Sequence, residues 1–363
     1  RPSGVSTTSY TSFLDIPLTF FGPNPASITN ITGNPASVST TLENVVVNKG
    51  TSSATTLTID IAGTLTTPAN GWLTLQNGTL VYNRTNPSSD FTITTTSPFN
   101  IPETAGLTID YTTSADRNVL IANANRNDND LYLDGKLTLV NGNLYIGPTG
   151  SPDYNNDIEY SGSSNSSIVV SGGNLMVNGQ IRRPASTTNG ALAYTQSGGN
   201  VIINGRNTLT TRAKLEVLNG GSFNMSGGNL TIVRGGGINY GDLYLRPASS
   251  NVTGGTIYLE HDFSGNPQTY GLESTVSLNN LVITGRTEPT AANATVNLMI
   301  SPLVLKGSLT LTNANSIFNA NNRNVTLGGN FVNNGTYAYG TNTTTFNGGS
   351  QTISGTTLTN FHN

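Results

Sequence analysis

A Gly-Gly-Asn corner followed by a short apolar strand recurs along this chain. Gly172-Gly173-Asn174-Leu175 runs into Met176-Val177-Asn178-Gly179, and Gly198-Gly199-Asn200-Val201 runs into Ile202-Ile203-Asn204-Gly205. Gly227-Gly228-Asn229-Leu230 repeats the pattern, with variants at Asn141-Gly142-Asn143-Leu144 and Gly254-Gly255-Thr256-Ile257. The leading apolar residue falls at 144, 175, 201, 230 and 257, at intervals of 31, 26, 29 and 27. A second apolar pair precedes each one: Leu137/Leu139, Ile168/Val170, Leu192/Tyr194, Leu215/Val217 and Leu243/Leu245. The unit is therefore about 27 residues long and holds two or three short strands. So small a unit cannot enclose a core of its own, and it buries its apolar side only by stacking on the next copy.

Two stacked architectures meet that demand. A propeller blade needs about 40–50 residues, which is too many. One coil of a parallel β-helix with three faces fits, and extra residues at a corner explain the uneven intervals. The expectation is an all-β, right-handed parallel β-helix (β-solenoid) over residues 41–363, with roughly 12 coils and a rod length of roughly 55–60 Å at the usual strand spacing. Residues 1–40, with Pro at 2, 17, 23, 25 and 35, read as a linker, a cap or the edge of a preceding domain.

Composition agrees. Thr, Asn, Gly and Ser number 55, 49, 41 and 34 of 363 residues, and charged residues are only 10%. Thr, Val and Ile fit a pleated surface better than a helix, while Gly and Asn supply tight corners. In Leu137-Thr138-Leu139, Leu230-Thr231-Ile232 and Leu309-Thr310-Leu311 the apolar residues point inward and Thr faces solvent. Asn at matching corners either stacks as an amide ladder or is there because it tolerates left-handed backbone. The chain has no cysteine, which excludes disulfides, thiolate nucleophiles and Cys-ligated metal. Its net charge of −3 lacks the basic footprint of a nucleic-acid binder. No apolar run approaches the roughly 20 residues of a membrane-spanning helix.

Residues 325–337 read Val-Thr-Leu-Gly-Gly-Asn-Phe-Val-Asn-Asn-Gly-Thr-Tyr, and 343–355 read Thr-Thr-Thr-Phe-Asn-Gly-Gly-Ser-Gln-Thr-Ile-Ser-Gly. These segments resemble repeats of giant secreted surface proteins of Bacteroidetes, and the Gly-Gly-Asn coils resemble them in style. The resemblance implies a β-helical stalk exported by the type IX secretion system, similar to the adhesins of gliding motility. It implies an extracellular, cell-surface location. The sorting domain of that system is not visible, and the chain stops at Phe361-His362-Asn363 where a further strand would begin. A longer parent polypeptide is therefore expected.

Enzymes on β-helices need convergent carboxylates, a basic residue or calcium. Asp128, Asp130 and Asp134 form one acidic run, and Asp153, Asp157 and Glu159 another. Neither run has the EF-hand or RTX pattern, so both read as solvated loop carboxylates. His261-Asp262, beside Glu260, is an adjacent pair whose side chains point to opposite faces of a strand, which disfavours a base and its orienter. His362 lies at the chain end. Arg182, Arg183, Arg206 and Arg212 make the central coils locally basic, either as a contact for an acidic glycan or a partner protein or as charge for solubility and edge protection. Trp72, Tyr132, Tyr145, Tyr154, Tyr160, Tyr244 and Tyr258 include several residues expected to face outward, where rings stack on sugars. Gly235-Gly236-Gly237 lacks the strand–helix context of a dinucleotide site.

The expected role is structural: a rigid adhesive stalk of a cell-surface protein, with no catalytic residue, no metal and no cofactor. The binding residues are not identified by the sequence. Expected partners are cell-surface or secretion-system proteins and surface polysaccharide. A polysaccharide lyase or hydrolase and a non-catalytic glycan-binding module are the alternatives.

Overall fold

The fold was obtained as a computed structural model. It describes residues 11–362 except 13–17, 30–38, 62–63, 68–70, 85–88, 96–97, 113–116, 123–130, 150–154, 161–164, 187–188, 207–208, 219 and 262. Among the described residues there is no helix, and the strands stack in parallel from coil to coil. The chain is a parallel β-solenoid.

Three long faces wrap one core. The first is eleven-stranded, from Leu18–Gly22 through Lys136–Asn141, Asn165–Val170 and Ala191–Gln196 to Ser249–Val252. The second, also eleven-stranded, runs from Phe91–Thr94 through Asn143–Ile146, Asn174–Val177, Asn200–Ile203, Asn229–Ile232 and Thr256–Glu260 to Ile353–Ser354. The third has ten strands, from Phe99–Ile101 through Ile158–Tyr160, Ile181–Arg182, Leu215–Leu218 and Leu243–Arg246 to Thr336–Ala338. Ten strands make about nine turns, with roughly 27 residues between stacked strands. That count is along the third face; the faces are not coextensive, the first ending at Val252 and the second beginning at Phe91. Three-stranded sheets complete the ends, one of Thr11–Ser12, Ser39–Thr41 and Thr64–Thr66, the other of Leu303–Leu305, Val325–Leu327 and Thr344–Phe346. Within residues 1–40, Leu18–Gly22 and Ala26–Thr29 pair in parallel onto Val45–Lys49 and Thr56–Asp60.

Register on the second face follows the leading apolar series: Leu144, Leu175, Val201, Leu230 and Ile257 are successive partners. The preceding series proves to mix two faces. Leu137, Ile168, Tyr194 and Phe223 form one column of the first face. Leu215 and Leu243 belong to the third, above Ile158 and Ile181. An apolar-x-apolar triplet is the minimal buried strand on any face, so spacing alone does not separate them.

The core is a single cluster of buried side chains from Leu42 to Tyr337. Aromatic residues repeat between neighbouring coils, with Tyr194 on Phe223 (centroids 5.3 Å apart, 7° between planes) and Phe318 on Tyr337 (5.8 Å, 7°). Each buried Leu or Ile contributes about 1.5–3 kcal/mol, provided coils lie on both sides. At the first-to-second corner, Gly142, Gly173, Gly199, Gly228 and Gly255 all have φ between 65° and 94°. A Cβ on Gly173 would lie 2.2 Å from Gly142 O, so stacked corners require glycine both for conformation and for room.

Candidate functional site

Charge is scarce in this chain, yet much of it is buried at one place. The corner joining the second face to the third carries Asp157, Gln180, Lys214 and Asp242 immediately before the first apolar residue of successive strands. Backbone bonds fix that register: Ile158 N donates to Gln180 O, Ile181 N to Lys214 O and Leu215 N to Asp242 O (2.8, 2.8 and 3.0 Å). All four side chains are buried.

Ion pairs bind this column to its surroundings. Arg182 Nε lies 2.7 Å from Asp157 Oδ2 and its Nη1 2.5 Å from Glu159 Oε2. Arg183 Nε lies 3.0 Å from Glu216 Oε2, and Arg212 Nη1 is 4.0 Å from Glu216 Oε1. Both guanidinium groups stack on Tyr240, at 5.3 and 5.5 Å from its centroid. Gln180 ties down the following loop by donating to Arg212 O and Ala213 O, each at 3.0 Å, and accepting from Leu209 N. Arg234 packs over Phe263 at 3.8 Å and donates to Asn204 O.

Electrostatics follow from burial. Desolvation holds the Asp242 carboxyl up at about 6, opposed by Lys214 and by hydrogen bonds from backbone N–H groups. Two of those bonds are Gly237 N to Oδ1 (3.0 Å) and Gly271 N to Oδ2 (2.8 Å). The glycine run at 235–237 therefore cradles an anion, but it is the chain's own carboxylate. Burial likewise raises Asp157, against the pull of Arg182. Burial lowers Lys214, against the pull of Asp242 and Asp157.

Several sequence expectations are corrected here. Arg182, Arg183 and Arg212 are buried ion-pair partners, not an exposed basic stripe; Arg206 is half-buried. Asp157 is buried and Glu159 half-buried, so neither is a solvated loop carboxylate. His261 is buried against Phe263, and Glu260 is half-buried at the end of its strand. Asp134 is half-buried in the turn after Leu131–Leu133, and His362 is exposed. Asp128, Asp130, Asp153, Tyr154 and Asp262 lie outside the described residues. Lys214, Asp242 and Gln180 were not singled out by the sequence. Their signal is positional: a polar residue directly before the leading apolar residue of four successive third-face strands.

The aromatic residues divide. Trp72 and Tyr160 are buried, Trp72 donating from Nε1 to Thr92 O at 3.1 Å and Tyr160 from its hydroxyl to Glu216 O at 3.0 Å. Tyr132 and Tyr244 face outward on the third face, Tyr145 and Tyr258 on the second. The second face also carries an amide ladder at its entry. Asn174 Nδ2 donates to Asn143 Oδ1 (2.7 Å), Asn200 to Asn174 (2.8 Å) and Asn229 to Asn200 (2.9 Å).

Chemically, the corner is closed. The carboxylates of Asp157, Glu216 and Asp242 are met by N–H donors from adjacent coils, and this polar set fastens coils together where long loops leave the stack. The open chemistry lies on the outward rows of the faces. Among the described residues no helix is long and apolar enough to cross a membrane, and no group of three or more His, Cys, Asp or Glu is arranged to hold a metal. No known family model, no curated protein and no solved structure matches this chain.

Proposed function

We propose that this chain is a rigid segment of a large secreted cell-surface protein and serves as an adhesive stalk, in line with the resemblance of residues 325–355 to giant type IX-secreted adhesins. One observation carries the reading: a single core passes through the whole stack, so the coils form one body whose outward rows repeat along the axis. Such a body holds its shape without cysteines and keeps its outward rows in register from coil to coil. Its partners on this reading are cell-surface or secretion-system proteins and surface polysaccharide, and it works outside the cell without catalysis or cofactor. A polysaccharide lyase or hydrolase would need carboxylates converging in an open groove, whereas Asp157, Glu216 and Asp242 are turned into the corner.

The test has two parts. Antibody against the chain should label intact cells, and beads coated with purified protein should adhere to the cell's natural substratum, with uncoated beads as control. Absence of either labelling or adhesion overturns the proposal. Turnover of uronic-acid polymers by the purified protein overturns it in favour of the enzyme.

A further inference from the structure

The second face has an outward row that the adhesive reading does not by itself explain. Tyr145, Met176, Ile202, Thr231, Tyr258 and Val282 are register partners on six successive coils. All are half-buried, so they form a ridge that solvent reaches. At about 4.8 Å per strand the ridge runs roughly 24 Å, with its two tyrosines roughly 19 Å apart. Two residues earlier in the same strands, on the same side of the sheet, stands the ladder Asn143, Asn174, Asn200 and Asn229.

We infer that this ridge and ladder bind a neutral polysaccharide laid along the solenoid axis, with sugar rings on the apolar row and hydroxyls on the amides. The inference rests on the adhesive reading and names its surface and ligand class.

Three observations select that occupant. First, the face is uncharged: among the described residues of its eleven strands, Glu260 is the single charged one. A polyanion would find no cation to neutralise it there, and nucleic acid is excluded on the same ground. Second, an Asn side chain has two N–H donors and two carbonyl lone pairs. The ladder uses one donor of Asn174, Asn200 and Asn229 and one lone pair of each acceptor, so the interior amides keep donors and acceptors for hydroxyl groups. Third, the row is one side chain wide and periodic. A protein partner of ordinary affinity needs about 800 Å² per side around a desolvated central pocket. A periodic linear polymer needs only a periodic track, and tyrosine offers both a flat apolar ring and a polar tip.

Affinity gel electrophoresis tests this, with hydroxyethylcellulose or galactomannan as neutral polymers and alginate as the anionic one. Wild-type protein should be retarded in a neutral gel and not in alginate. The Tyr145→Ala/Tyr258→Ala variant should need at least tenfold more polymer for the same retardation, whereas Tyr132→Ala/Tyr244→Ala, on the third face, should match wild type. Circular dichroism and melting temperature check that each variant is folded, and Asn200→Ala, which leaves the ridge intact, should show an intermediate loss. Equal retardation of the Tyr145/Tyr258 variant, stronger retardation by alginate, or none by either neutral polymer overturns the inference. So does a wild-type dimer in sedimentation velocity that this variant abolishes, which would give the ridge to a second copy. If coated beads adhere while neutral polymers do not retard, this inference fails and the adhesive reading stands. If polymers retard but beads do not adhere, the adhesive reading fails.

Discussion

Lys214 and Asp242 occupy the same register position on successive coils, both buried, with Leu215 N donating to Asp242 O at 3.0 Å. One strand spacing separates the two residues along the stack. Neither keeps its ordinary proton affinity, and Asp242 stands at about 6 against 3.8.

Stability should therefore depend on pH through Asp242. The folded chain binds the extra proton between pH 3.8 and about 6. The contribution is fully present below 3.8 and lost as pH rises through 6, on the order of 3 kcal/mol in all. Urea midpoints measured from pH 3.5 to 7.5 should show this falling component in wild type, and Asp242→Asn should remove it. Identical slopes in the two proteins would refute the assignment.

Glu216 lies against two arginines, and its loss takes a carboxylate away from buried Arg183. Glu216→Gln should destabilise by about 3–5 kcal/mol. The effect should be nearly independent of added salt, because the pair is hidden from solvent. A loss below about 1 kcal/mol in chemical denaturation would mean that this corner is far wetter than described.

The amide ladder should be worth a measurable amount at its middle rung. Asn200→Ala removes the bonds to both Asn174 and Asn229, at about 0.5–1.5 kcal/mol each. Hydrogen exchange should accelerate at the amides of 200–203 and in the coils on either side. Unchanged protection there would show that the amides bond equally well to water.

Two glycines with similar φ separate strain from crowding. Gly71 (φ 79°) has open space where a Cβ would go, whereas Gly199 (φ 65°) has Gly172 and Gly173 backbone atoms at 2.6 Å. Gly71→Ala should cost about 1 kcal/mol of conformational strain. Gly199→Ala should cost more than twice that, because two neighbouring corners must also part. Equal melting temperatures for the two variants would contradict the stacking of corners.

The second face was legible in the sequence because a glycine corner marks its entry on five successive coils, fixing where Leu144, Leu175 and Val201 begin. The first and third faces were merged because Leu192/Tyr194 and Leu215/Val217 look alike as triplets. What distinguishes them is the register set by turns, such as the loop between Arg183 and Gly190, whose length leaves no trace in local pattern. The buried corner was half legible. Arg182, Arg183 and Arg212 drew notice as cations, but a charge in a Gly- and Asn-rich connection ordinarily faces water. Asp157 and Lys214 are buried in one stacked column with Gln180 and Asp242, and that is a property of several coils together. The amide ladder needed the same information, because an Asn at a corner is equally at home alone.

Because every hydrogen-bonded ladder runs along the axis, tension on the chain ends loads the rungs one coil at a time. Each coil that detaches would release about 27 residues, or roughly 90 Å of extended polypeptide, while the remainder stays intact. The stack would therefore lengthen in steps of uneven size, each set by the length of the coil released, rather than fail at a single rupture force.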